Sequence, residues 1–125
     1  MQDYTTAYIR KEIKMHKENQ VAQARLEAQI RRDGNIAENK KAQLLLLRER
    51  NVIVEGWMSI LSEDEAYVVQ RHLIDGITWP RVEVEYSEKW KEFGKCQRTL
   101  MRYQDNALKK IQRFMNEQED LRSIV

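Results

Sequence analysis

From residue 4 to residue 32 the chain contains neither glycine nor proline, and Ile9, Ile13, Met15, Ala22, Leu26 and Ile30 recur mostly at helix-compatible spacing. The pattern predicts one long helix whose apolar stripe is thin, so that it needs a partner. Arg31 and Arg32, followed by Asp33-Gly34-Asn35, predict its end: basic side chains suit the negative pole of a helix, and glycine accepts the left-handed residue that closes it. A second helix is expected over residues 36–60. There Leu46, Ile53, Trp57 and Ile60 form one stripe, and Leu44, Leu45, Leu47, Val52, Val54 and Met58 widen it almost all round. Two such helices form an antiparallel hairpin with arms of roughly 40 Å, at about 1.5 Å per residue. The thin first arm covers only part of the second. The remainder must pack on the C-terminal half or on a second subunit.

Beyond residue 60 the segments shorten. Ser62-Glu63-Asp64-Glu65 has the spacing of a capping box and opens a third helix with Ala66, Val69 and Leu73 inward, ended by Asp75-Gly76. Thr78 is placed to cap a short fourth helix, with Trp79-Pro80 in the first turn, where proline is tolerated, and Val82 and Tyr86 inward. Residues 87–94 read as a loop in which Trp90 and Phe93 are expected to close a small core. A last helix over about 95–115 carries Leu100, Tyr103, Ala107, Ile111 and Phe114 on one face, and fraying is expected over 116–125. Trp79, Val82, Leu100 and Ile111 are the expected core of this half. The fold class is therefore all-α, with an N-terminal antiparallel helical hairpin (1–60) and a three-helix helix-turn-helix unit (61–115).

Composition agrees, since 34% of residues are charged and glycine and proline number only 4 and 1 among 125. The net charge of +2 says little until it is divided. Residues 1–61 hold 11 basic and 8 acidic side chains, residues 62–94 hold 4 and 8, and residues 95–113 hold 6 and 1, a net +5 on one expected helix. Such a basic stripe is a footprint for phosphate contact. The single cysteine, Cys96, has no intramolecular disulfide partner, and the charged start Met1-Gln2-Asp3-Tyr4 lacks the form of a signal peptide. A cytoplasmic protein without a membrane span is the expectation.

Leu61-Ser62-x-x-Glu65, the Val68-Val69 pair, Gly76, Thr78-Trp79, Val82 and Tyr86, closed by Ala107-Leu108-Lys109-Lys110-Ile111, resemble the promoter-binding region of bacterial sigma factors. With a tryptophan after the threonine and a helical N-terminal extension, the arrangement is also similar to the sigma-like late-gene regulators of phages and mobile elements, the ArpU type among them. The resemblance covers residues 61–111, about two fifths of the chain. It departs from the pattern in a turn about seven residues longer before the last helix, and in Cys96 where a capping Thr or Ser is common. It implies a helix-turn-helix of sigma-factor type, double-stranded DNA as partner, RNA polymerase as a further one, and Gln97, Arg98 and Arg102 at base-reading positions. Helical geometry agrees: with Leu100, Tyr103 and Ala107 inward, Arg98, Met101, Arg102 and Asp105 fall outward. Lys95, Lys109 and Arg81 complete the candidate DNA-contacting set, and as the alternative to core packing by Trp90 and Phe93 the segment 88–93 offers Lys89 and Lys91 to the DNA backbone.

No glycine-rich phosphate loop, nucleophile elbow or metal-spaced Cys/His cluster is present, so no enzyme, metal or cofactor is expected. His16 and His72 are isolated and read as one surface and one half-buried side chain, Cys96 as a half-buried thiol. Glu63 and Glu65, like Glu83 and Glu85, read as solvated. The competing reading is a helical protein-interaction module that binds RNA polymerase or another regulatory protein without touching DNA. Because eleven large apolar residues lie between positions 44 and 61, dimerisation through the hairpin is also expected.

Overall fold

The computed structural model describes residues 4–34, 38–91 and 96–124, and every regular element among them is helical. α1 (Thr6–Lys14) starts where the Thr5 hydroxyl accepts the Tyr8 amide, and α2 (His16–Asp33) follows after one residue, Met15. The single helix expected over residues 4–32 is thus divided, because its halves cover different partners. α1 lies along the last helix and buries Ile9 and Ile13 completely, while α2 lies along α3 (Glu38–Ser59). Gly34, at φ 69°, ends α2 with its amide on the Ile30 carbonyl, as the sequence predicts; the rest of the expected turn, from Asn35, lies outside the described residues.

The stripe expected on α3 is rotated. Leu44, Asn51, Val54 and Trp57 are buried, whereas Leu46 and Ile53, assigned to the inward stripe, are exposed. A helix apolar on opposite faces leaves the direction of burial to its partners, and α2 offers little apolar surface. The α2–α3 contact is accordingly polar. Asn51 donates to the Asn19 carbonyl and to Gln23 Oε1 (2.6 Å), and Arg48 bonds Glu27 at 3.2 Å. Next to it, Arg50 grips Glu12 of α1 with bonds of 3.0 to 3.2 Å. His16 is also buried here and His72 is half-buried, so neither is the surface histidine that was expected.

α4 (Glu63–Val69) opens with the complete capping box of Ser62 and Glu65 and closes through a π-helical turn (Gln70–Ile74). Gly76, at φ 72°, then lets the Ile77 amide reach back to the Arg71 carbonyl. α5 (Trp79–Trp90) has Pro80 in its first turn and Val82 and Tyr86 buried. Thr78 stands at the N-cap, but its side chain makes no capping bond. The loop expected from residue 87 instead continues α5 to Trp90, which stacks on Tyr86 one turn earlier (4.4 Å between centroids) and meets Tyr67 edge-on at 5.0 Å. Lys91, at φ 54°, stops the helix. Phe93 lies outside the described residues. α6 (Gln97–Ile124) stays helical through the segment expected to fray.

Two apolar clusters result. Val68, Val82, Tyr86 and Leu100 form the smaller, with Trp79 and Trp90 against it. The larger joins Ile9 and Ile13 of α1, Val54 and Trp57 of α3, Val69, Leu73 and Ile74 around the π turn, and Ala107, Leu108 and Ile111 of α6. Ile111 therefore belongs to the larger cluster and not, as expected, with Trp79 and Leu100. Residues from both sides of position 60 share that core. Among the described residues no helix is long and apolar enough to cross a membrane.

Polar clasps fix the angles between these helices. Arg71 holds Glu85 of α5 through two bonds (2.9 and 3.1 Å) and Asp75 through a third (2.8 Å). Tyr86 donates to Asp64, and Lys110 of α6 reaches Glu65 at 2.6 Å. Glu65 and Glu85 are thus engaged, not solvated. Burial works to raise the Glu65 pKa, but the bonds from Lys110 and Ser62 outweigh it and leave it lowered. His72 stacks on Trp79 (3.8 Å) and pairs through Nδ1 with Gln104 Oε1 (2.7 Å).

Burial, together with Lys14 and Arg10, holds His72 below its ordinary 6.5 despite the Gln104 bond; burial also lowers His16, against Glu55 and Asn51. A histidine with a depressed folded pKa contributes fully above its unfolded value, and that contribution is lost as the pH falls through the folded one. The melting temperature should therefore drop as the pH is lowered from 6.5, before the carboxylates titrate, and His72→Gln should flatten part of that drop. An unchanged melting temperature from about pH 7.5 to about 5 would contradict the burial of both rings. Separately, Leu100→Ala should cost about 2 to 5 kcal/mol in denaturant titrations, since Leu100 is fully buried. An unmoved transition would place Leu100 in solvent and rotate α6.

Candidate nucleic-acid interface

The face of α6 turned away from both clusters is set by its own periodicity. Leu100, Gln104, Ala107, Leu108 and Ile111 are buried, so the opposite side collects Arg98, Met101, Arg102, Asp105 and Lys109, all exposed. Arg98, Arg102 and Lys109 recur at steps of four and seven residues, forming one row about three turns long. None of the three has an ion-pair partner among the described residues. Their neighbour Lys110 differs, because it points back to Glu65 and serves the fold.

Asp105, the single acid between positions 95 and 113, is faced by Arg10 at 3.9 Å. The N-terminal helix thereby brings a basic side chain to the edge of the row. Lys17 does the same for Asp75 at the turn, also at 3.9 Å. Sequence patterning assigned α1 to a remote hairpin and missed both. No local signal marks a contact between residues 95 positions apart, such as Arg10 and Asp105.

The other candidate residues are placed unevenly. Gln97 opens α6 and is half-buried. Arg81, in the first turn of α5, is exposed but leans on Glu85 at 3.4 Å, an acid already held by Arg71. It can leave that contact cheaply, since exposed pairs of this kind contribute little. Lys95 lies outside the described residues. Lys89, in the segment offered as a backbone contact, sits over the rings of Tyr67 and Trp90 at 5.3 and 5.2 Å, and Trp90 packs into the small core.

Cys96 precedes α6 and its carbonyl accepts the Thr99 and Leu100 amides, so it takes the capping position by backbone alone. Its thiol is exposed, not half-buried. The Thr99 hydroxyl beside it, then the amides of the first turn, lower its pKa. An anion near this turn would meet the positive pole of a 28-residue helix.

In chemical terms the face offers two guanidiniums and an ammonium along a convex helix, with Met101 as an apolar contact between them. Among the described residues no three His, Cys, Asp or Glu side chains converge as a metal site would need. Comparison of the chain with protein families, with curated proteins and with solved structures finds no match.

Proposed function

We propose that the chain is a sequence-specific DNA-binding transcriptional regulator, sigma-like and encoded by a phage or mobile element, that reads duplex DNA with the outer face of α6. The observation that carries this reading is the row of Arg98, Arg102 and Lys109, without an ion-pair partner among the described residues, on a chain whose Arg50, Arg71 and Lys110 are all engaged in internal ion pairs. Arg98 and Arg102, near the start of the helix, reach base edges. A guanidinium grips guanine O6 and N7 bidentately, worth about 1 to 3 kcal/mol of discrimination. Gln97 stands beside them for an adenine contact. Lys109, further along, Arg81 in the first turn of α5, and Lys95 hold phosphate. RNA polymerase, the further partner that the resemblance implies, would meet the same unit from another side.

A second reading, binding of a regulatory protein without DNA, is favoured by one observation on α5. Val84 is 57% exposed between Glu83 and Glu88, an apolar side chain in an acidic setting suited to a basic protein surface.

Titration of duplex DNA from the protein's own locus at several salt concentrations separates the two. DNA recognition predicts tight binding whose logarithm falls linearly with log salt, and Lys109→Ala should reduce that slope by about one unit for every sequence alike. Arg102→Ala should lower affinity for the preferred site by about tenfold or more while leaving other sequences nearly unchanged. Equal affinity and preference in wild type and Arg102→Ala would refute base reading by this row. No retention of any duplex at low salt would favour the protein-binding reading.

A further inference from the structure

α1 and α2 carry a second basic row, and the chain leaves it uncovered. Arg10, Lys14, Lys17, Val21 and Arg25 follow one another at steps of four, three, four and four residues, and all five are exposed. Met15, between the two helices, keeps right-handed helical backbone, so the spacing carries across the break. Lys14, Lys17, Val21 and Arg25 line one shallow groove of about 380 Å³, with Ile74 of the π turn in its wall and Glu18 at its rim. Other acids of these helices are turned away from the row. Glu12 and Glu27 face α3, where Arg50 and Arg48 engage them. Lys14 and Arg25 have no ion-pair partner among the described residues.

The row begins at the edge of the α6 face. Tyr4 bonds Asn116 and Gln112, and Arg10 faces Asp105, so α1 runs antiparallel to α6. Arg10 and Lys14 both stand near enough to His72 to oppose its protonation, and Lys17 reaches Asp75 in the turn before α5. The positive charge of Arg102 and Lys109 thus continues through Arg10 onto Lys14, Lys17 and Arg25, which extend it by about 22 Å along the helices.

We propose that this row holds the phosphate backbone of the same DNA duplex that α6 reads, as a second and sequence-independent contact. The inference rests on the DNA reading of α6 and extends it to residues outside the helix-turn-helix. Charge complementarity and continuity with the α6 row select the occupant. A duplex strand presents one negative charge about every 3.4 Å of its axis, and lysine ammoniums on flexible stems meet such charges without needing a fixed orientation. The pairs that Arg10 and Lys17 make, both at 3.9 Å and both exposed, contribute little and exchange readily for phosphate. Backbone contacts of this kind set how the protein lies on the duplex and leave its choice of sequence to the other face.

The full chain is titrated at several salt concentrations with a mixed-sequence duplex of about 25 base pairs and with duplex from its own locus. Lys14→Ala combined with Lys17→Ala should lower the salt slope by about two units and weaken both duplexes about tenfold or more, with the preference between them retained. Lys14→Arg with Lys17→Arg keeps the charges and should keep the slope. Should the alanine pair melt early, Arg25→Ala decides, since it lies two turns further on and should lower the slope by about one unit. Wild-type slopes in these variants, in a protein that Arg102→Ala strips of its preference, overturn the inference and leave the α6 reading standing. Lowered slopes with Arg102→Ala silent support the row and refute base reading by α6. A wild type that retains neither duplex at low salt overturns both.

Discussion

The inner face of α6 is the surface on which the rest of the chain is assembled. Leu108 and Ile111 receive Ile9 and Ile13 from α1, Val54 and Trp57 from α3, and Val69 and Leu73 from α4 and its π turn; Leu100 receives Val68, Val82 and Tyr86. Complete burial of each large side chain contributes about 1.5 to 3 kcal/mol, so this wall supplies most of the hydrophobic stabilisation open to a 125-residue chain. The functional consequence follows from geometry. A helix covered on one side by four others can offer only its opposite side, and that side carries Arg98, Arg102 and Lys109.

Apolar burial does not fix helix angles, and here polar groups do so. The Arg71 fork on Glu85, the Tyr86 hydroxyl on Asp64 and the Lys110 bridge to Glu65 link α4, α5 and α6 at separate points. Each is partly buried, so removing one member leaves its partner poorly solvated and costs more than an exposed pair would. In the N-terminal half the same role falls to Asn51 with Gln23, and to Arg50 with Glu12. Polar contacts specify one register where a thin apolar stripe would accept several.

Much of this was legible in the sequence because its signals are local. The Ser62–Glu65 capping box, the left-handed glycines at 34 and 76 and the inward set Leu100, Ala107 and Ile111 each depend on neighbours within a few residues. What was misread depends on distant partners. Nothing local tells whether Leu44 or Leu46 faces inward on a helix apolar on both sides; α2 and α6 decide it. The break at Met15 arises because α1 and α2 have different partners. Trp90 extends α5 by stacking on Tyr86, which periodicity treats as two unrelated aromatics. Within the interface the exposure of Arg98, Arg102 and Lys109 could be read from helical spacing, whereas the approach of Arg10 to Asp105 could not.

As proposed, the outer side of α6 receives duplex DNA and the outer side of α3 takes no part in that contact. Amide chemical shifts of labelled protein, recorded while duplex DNA is added, test that division residue by residue. Shifts should concentrate at Arg98, Met101, Arg102 and Lys109, leaving Leu45, Val52 and Ile53 unmoved. Shifts confined to α3, or spread evenly over the chain, would contradict it.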